Sequence, residues 1–269
     1  FKQKTAYEIP KRDWSSDVCS SDLDFFDKAI KSLVGQQVGC KELIIVHSSE
    51  ENLINHLNSY DFGELKVNLV NYKNEPNYAE QINMGVKKAK GKYVSFFEFD
   101  DEYATIWFKN VQKYAEVYPD VDAFLPLVID VDTKNVFNGF TNEATFAANM
   151  TSEIGILTNE TLLTYQNFQT SGMVIKKKSF EDFGGMKKSM KLTFGYELFL
   201  RLTYNNVRIM TIPKIGYKHM NMREGGIFWN YKNGTDVMTP QEVQFWIESA
   251  KKESYFTQDR ELKFAPTEN

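Results

Sequence analysis

The chain has 269 residues, is 42% hydrophobic and 14% aromatic, and carries a net charge of −4 with a pI near 5.6. That supplies apolar surface for one large domain, or a domain with an appendage, and the acidic balance excludes a broad basic face for nucleic acid, though not a local patch. No apolar run approaches the roughly 18–20 residues of a membrane span and no signal-peptide pattern opens the chain, so the expected location is the cytoplasm. Cys19 and Cys40 are too few for a disulfide framework or a sulfur-bound zinc site, in keeping with a reducing compartment.

Arg12 to Leu23, "RDWSSDVCSSDL", has neither helical nor strand periodicity and reads as loop. From Asp24, an N-cap residue type, Phe25, Phe26, Ala29, Ile30, Leu33 and Val34 recur on one helix face. "ELIIVHSS" is a buried parallel strand opening into a loop, "EENLINHLNSY" a helix and "LKVNLVNY" the next strand. Tyr78, Ala79, Ile82, Gly85, Val86 and Ala89 mark another helix face that Gly91 stops, and "KYVSFFEFDDE" is a strand running into four acids. Strands alternating with helices imply βαβ crossovers and a parallel sheet, which binds ligands outside the carboxyl ends of its strands.

Beyond lie an amphipathic helix over Thr105 to Tyr118, a strand "DAFLPLVIDV" and a polar stretch from Thr133 to Gln169 without assignable pattern. "GYELFLRLTYNN" reads as helix and "VRIMTIPKIGYKHM" as extended. In the tail, Val243, Trp246, Ile247 and Ala250 share one helix face, with Pro240 near its first turn.

Glu98, Asp100 and Asp101 gather negative charge at a strand end, which is costly unless a cation neutralises it. Hard oxygen ligands suit Mg2+ or Mn2+. The competing reading is a solvated acidic loop capping the next helix.

The string "INMGVKKAKGKYVSFFEFDDE" resembles the inverting family 2 glycosyltransferases of GT-A fold, with Asn83, Gly85, Ala89, Gly91, Tyr93 and "EFDD" in the places of their signature. "SGMVIKKKSFEDFGGM", "YELFLRL" and "IPKIGYKHM" are similar to the family's acceptor-side segment, glycine pair, helix and late strand. The resemblance covers roughly residues 24–220. It implies an α/β GT-A fold, a mostly parallel sheet flanked by helices: a glycosyltransferase domain over 24–225, divided into a nucleotide-sugar half (24–130) and an acceptor half (131–225), and a helical extension over 226–269. Residues 1–23 form an aberrant segment, because 12–23 resemble translated sequencing-adapter read-through standing where the family has its first strand; "TAYEIP" is a poor substitute, and a natural polar loop is the alternative.

By the resemblance, Asp101 binds a Mn2+ or Mg2+ ion on the diphosphate of a UDP- or GDP-sugar, with Glu98 and His219 beside it. Asp100 contacts ribose or shares the ion, Asn83 belongs to the donor site, and Lys218 and Arg223 reach phosphate. The family's base-bearing Glu-Asp pair is replaced by Phe194 and Gly195, so Glu197 is the candidate base; its competing reading is a helix-surface partner of Arg201. The usual uracil-reading Asp is absent, with His47 to Glu50 in its place. The six lysines of "KKKSFEDFGGMKKSMK" form a solvated face or an acceptor patch. A looser likeness to enzymes of tailed phages extends the expected setting to a phage-infected bacterial cytoplasm and the acceptors to a glycan, a protein or a modified DNA base. The rival class is a GT-A-fold binding module that holds a nucleotide sugar or partner without turnover.

Overall fold

A computed structural model describes residues 5–8, 20–47, 51–74, 77–148, 155–221, 223–224 and 226–266. The first half alternates strand and helix: β1 (Thr5–Glu8), α1 (Ser20–Val34), β2 (Glu42–His47), α2 (Glu51–Ser59), β3 (Lys66–Asn71), α3 (Tyr78–Lys88) and β4 (Tyr93–Glu98). Then come β5 (Glu102–Tyr103), α4 (Trp107–Val117), β6 (Ala123–Val131), β7 (Phe137–Thr141), α5 (Ala144–Ala148), β8 (Gly155–Leu157), α6 (Asn159–Thr164), β9 (Val174–Lys176) and α7 (Lys177–Asp182). The chain closes with α8 (Phe194–Tyr204), β10 (Ile209–Met220), α9 (Ile227–Asn233) and α10 (Pro240–Glu253). None of the described helices is long and apolar enough to cross a membrane.

The ten strands among the described residues join one sheet, in the order β3-β2-β1-β4-β9-β6-β10-β5, with β7 on β6 and β8 on β10. The α/β class is as expected. Parallel pairing runs through β3-β2-β1-β4 and returns between β6 and β10, whereas β9, β7, β8 and β5 pair antiparallel, so the parallel character belongs mainly to the first half. The N-terminal expectation is sharpened at one point and corrected at another. Thr5–Glu8, part of the "TAYEIP" named as a substitute first strand, is paired on both edges, with Tyr7 opposite Ile45 on one side and Phe97 on the other. Helix α1 begins at Ser20, placing Asp24 inside it; Ser and Asp residues suit the positive end of a helix, and their lack of apolar period concealed this. Residues 9–19 lie outside the described residues.

The period of two along the inner strands divides the core between the sheet's faces. Leu43, Ile45 and Phe97 pack with Phe26, Ile30 and Leu33 of α1 and with Trp107, Phe108 and Val111 of α4. Ile44, Val46, Val94 and Phe96 pack with Ile82 and Val86 of α3 and with Leu198, Phe199 and Leu202 of α8. Trp246 and Ala250 of α10 belong to this second core. The unassigned polar stretch holds β7, α5, β8 and α6, elements of three to six residues at the sheet's margin; residues 149–154 within it lie outside the described residues.

Candidate active site

Strand β4 ends at Glu98, and the chain turns through Phe99, Asp100 and Asp101, where the Asp101 N–H donates to the Glu98 carbonyl at 3.1 Å. The two-residue β5 then pairs with β10, Lys218 opposite Glu102 and Tyr217 opposite Tyr103. That short ladder brings the end of β10 against the acidic turn. Asp101, fully buried, accepts the Met220 N–H at 2.8 Å and faces the His219 Nδ1 at 3.0 Å. Glu98 accepts the Ser171 hydroxyl at 2.8 Å, and Asp100 pairs with Arg223, whose guanidinium lies 4.5 Å from the Phe99 ring centre.

Glu98, Asp101 and His219 each offer a ligand atom, all within 4.8 Å of one another. Beneath them lie the aromatic rings of Phe97, Tyr103 and Tyr217, so the charges are poorly solvated. Burial and the neighbouring Asp101 charge raise Glu98 to about 7 against the partial relief given by His219, Ser171 and Tyr78. For His219, burial opposes the imidazolium, but Asp101 with Glu98 and Asp130 outweighs it and pushes the group up to about 10. Two carboxylates and one imidazole are a donor set that suits Mn2+, or Mg2+ with less use of the nitrogen.

The cluster borders a cleft of about 350 Å³. Glu98, Asp100, His219 and Arg223 line one end; Tyr78, Phe168, Phe194, Tyr196, Phe228 and Trp229 supply the aromatic remainder. Tyr78 and Phe194 stack at 4.7 Å between centroids, and Phe194 and Phe228 at 6.0 Å.

Residues 21–184 match the family described as Glycosyl transferase family 2. The chain belongs to that family. The glycosyltransferase also shares its fold with solved structures of S. aureus TarS 1–349. The complex with UDP is 17% identical, with 94% of this chain and 72% of that one covered and a TM-score of 0.59. For the complex with UDP-GlcNAc the values are 17%, 96%, 74% and 0.61. No curated protein matches the sequence.

Of the residues singled out in the glycosyltransferase's sequence, Glu98, Asp100, Asp101, His219 and Arg223 come together. Three do not join them. Glu197 is fully buried away from the cleft; Arg201 grips it through two bonds of 2.8 Å, and Lys187 sits at 3.2 Å. A carboxylate sealed between two cations has no open route to an acceptor hydroxyl in this arrangement, and the Arg201 partnership lies in the core rather than on the helix surface. Asn83 accepts the Met186 N–H at 2.8 Å and donates to the Met186 carbonyl at 2.6 Å, tying α3 to the glycine pair rather than to a ligand. Gly185 has φ +67°, and a Cβ there would stand 2.5 Å from the Asn83 Oδ1. Lys218 turns outward to Glu102 at 2.5 Å and Asn135 at 3.2 Å.

The buried acid extends into a chain of charges. Lys187 donates to the Glu253 carbonyl at 2.6 Å, and Arg260 holds the Glu253 carboxylate at 2.6 and 2.9 Å. Asp259 accepts the Lys188 N–H at 2.9 Å, and Thr193 donates to the Trp246 carbonyl at 2.8 Å. Helix α10 and the tail thereby strap down the loop that carries Leu192 to Gly195 into the cleft. Much of the lysine-rich string pairs with acids, Lys176 with Asp122, Lys178 with Asp182 and Lys191 with Asp236, while Lys188 is exposed.

Sequence reasoning overlooked the aromatic wall. Tyr78 was legible only as a helix-face residue, and "GGIFWNYK" offered the one available signal, three aromatic residues in a polar, glycine-led run.

Proposed function

We propose that this family 2 glycosyltransferase moves a sugar from a nucleotide-sugar donor to an acceptor hydroxyl with inversion, using Mn2+ or Mg2+ held by Glu98, Asp101 and His219. The observation that carries the reading is the convergence of those three ligand atoms at the carboxyl end of a parallel strand, beside a cleft. The TarS complexes support a UDP-sugar as the first donor to test. A bound divalent ion supplies Lewis acidity that offsets charge on the departing diphosphate. The chain's own residues do the positioning. The Met220 N–H and His219 fix the Asp101 carboxylate, Ser171 orients Glu98, and Arg223, braced on Phe99, stands where a phosphate oxygen competes with Asp100 for its guanidinium.

One observation favours the second reading, a binding module without turnover: among the described residues the aromatic wall carries no carboxylate to take the acceptor proton. Hydrolysis and transfer from a panel of UDP- and GDP-sugars, with Mn2+ and with EDTA, separates the two. The enzyme reading expects Mn2+-dependent turnover that Asp101→Asn removes; donor binding with no turnover at any metal concentration would establish the module.

A further inference from the structure

The cleft is electrically lopsided. Its charged lining residues, Glu98, Asp100, His219 and Arg223, all stand at the acidic turn, and the opposite wall is neutral. That wall is built on three stacked rings in which Phe194, 8% exposed, contacts both Tyr78 and Phe228. Phe228 is 45% exposed, so its outer face is the open end of the stack. The helix that carries it, α9, packs Ile227 and Tyr231 partly against the second core, half-buries Trp229 and leaves Phe228 exposed. An exposed aromatic ring lining a cleft, with the half-buried Trp229 next to it in the same lining, offers a flat apolar face to a ligand. The same cleft is lined by Gln166, whose amide is exposed and makes no hydrogen bond among the described residues, which leaves two donors and an acceptor for a ligand.

We infer that the acceptor is an uncharged saccharide, seated with one ring against the open face of Phe228 beside Trp229 and its hydroxyls toward Gln166. A sugar ring combines an apolar face with a rim of hydroxyls, and the wall offers an aromatic face with an amide at its edge. A nucleic acid or phosphate-rich polymer requires cations along its path. Arg223 is already paired with Asp100 at the far end, and no lysine of residues 176–191 lines the cleft. This inference rests on the proposed transfer reaction for its context, but binding at the wall is measurable without it.

The test uses the full chain, with maltotriose, cellotriose and chitotriose as neutral probes, and with a phosphorylated oligosaccharide, a single-stranded oligodeoxynucleotide and a Ser/Thr peptide as the rivals. Tryptophan fluorescence reports binding, and UDP-sugar hydrolysis is followed in parallel. At least one neutral probe is expected to bind and to change a signal that Trp229→Phe removes. Phe228→Ala is expected to weaken that binding roughly tenfold, and Phe228→Trp to restore it. Binding by a charged or peptide probe alone, by no probe, or equally by Phe228→Ala overturns the inference. Hydrolysis without saccharide binding sinks the acceptor assignment alone; saccharide binding without hydrolysis sinks the transfer reaction and leaves the subsite standing.

Discussion

Two groups of buried acids sit in this molecule, at the cleft and within the second core, and the difference between them lies in their partners. At the cleft, the cationic partners of Glu98, Asp100 and Asp101 among the described residues are His219 and Arg223. In the core, Glu197 and Glu253 face Lys187, Arg201 and Arg260. The first set is short of positive charge and borders the cleft; the second has more cations than acids, and of its members only Arg260 is exposed. A carboxylate in a sequence is a candidate for chemistry, but unmet charge beside a cavity is what separates a site from a brace.

The contrast is sharpest under mutation of the closed set. Glu197→Gln leaves Arg201 and Lys187 buried without their carboxylate and is expected to cost about 3–5 kcal/mol, read as a lower urea midpoint. A variant that kept full stability and lost only transfer would restore Glu197 as the base. The open set responds the other way. Asp101→Asn removes one of several crowded negative charges, so without metal its stability stays within about 1 kcal/mol of the parent, while Mn2+-dependent turnover falls by roughly 100-fold or more and Mn2+ no longer raises the melting temperature.

Titration offers a gentler probe. Glu98 is raised from 4.5 to about 7, so between those values the folded chain holds a proton that the unfolded chain has released, and stability falls as pH rises. His219, raised from 6.5 to about 10, gives stability that is complete below 6.5 and lost as pH climbs through 10. Metal-free protein is therefore expected to melt at progressively lower temperature from about pH 5 to 9, and Mn2+ to flatten that slope. The smallest effect is expected at Lys218, which belongs to neither set: Lys218→Ala should change stability by no more than about 0.5 kcal/mol, checked by the same urea titration, and leave the donor KM unchanged.

How much was legible follows from how local each signal is. The strand ending in Glu98 and its acidic neighbours is written in one contiguous string and was legible as such, whereas the place of His219 beside it came only from the family resemblance. The helix faces of α3, α8 and α10 were legible for the same reason. Glu197 was not, because its four-residue spacing to Arg201 fits a surface pair equally well, and only Lys187 and Glu253, brought in from other segments, decide that it is buried. The aromatic wall failed likewise: Tyr78, Phe194 and Phe228 come from three separate parts of the chain, and no window of sequence holds them together. The short elements between Thr133 and Gln169 owe their form to β6 and β10 beside them, which no local period announces.

The position of Thr5–Glu8 has a consequence for assembly. A four-residue strand hydrogen-bonded along both edges is a keystone: withdrawing it would leave β2 and β4 facing each other across a slot about 10 Å wide, each with an unsatisfied backbone edge. Such a slot invites complementation, in which a detached peptide bearing "TAYE" slides between the two neighbours and restores amide protection to both.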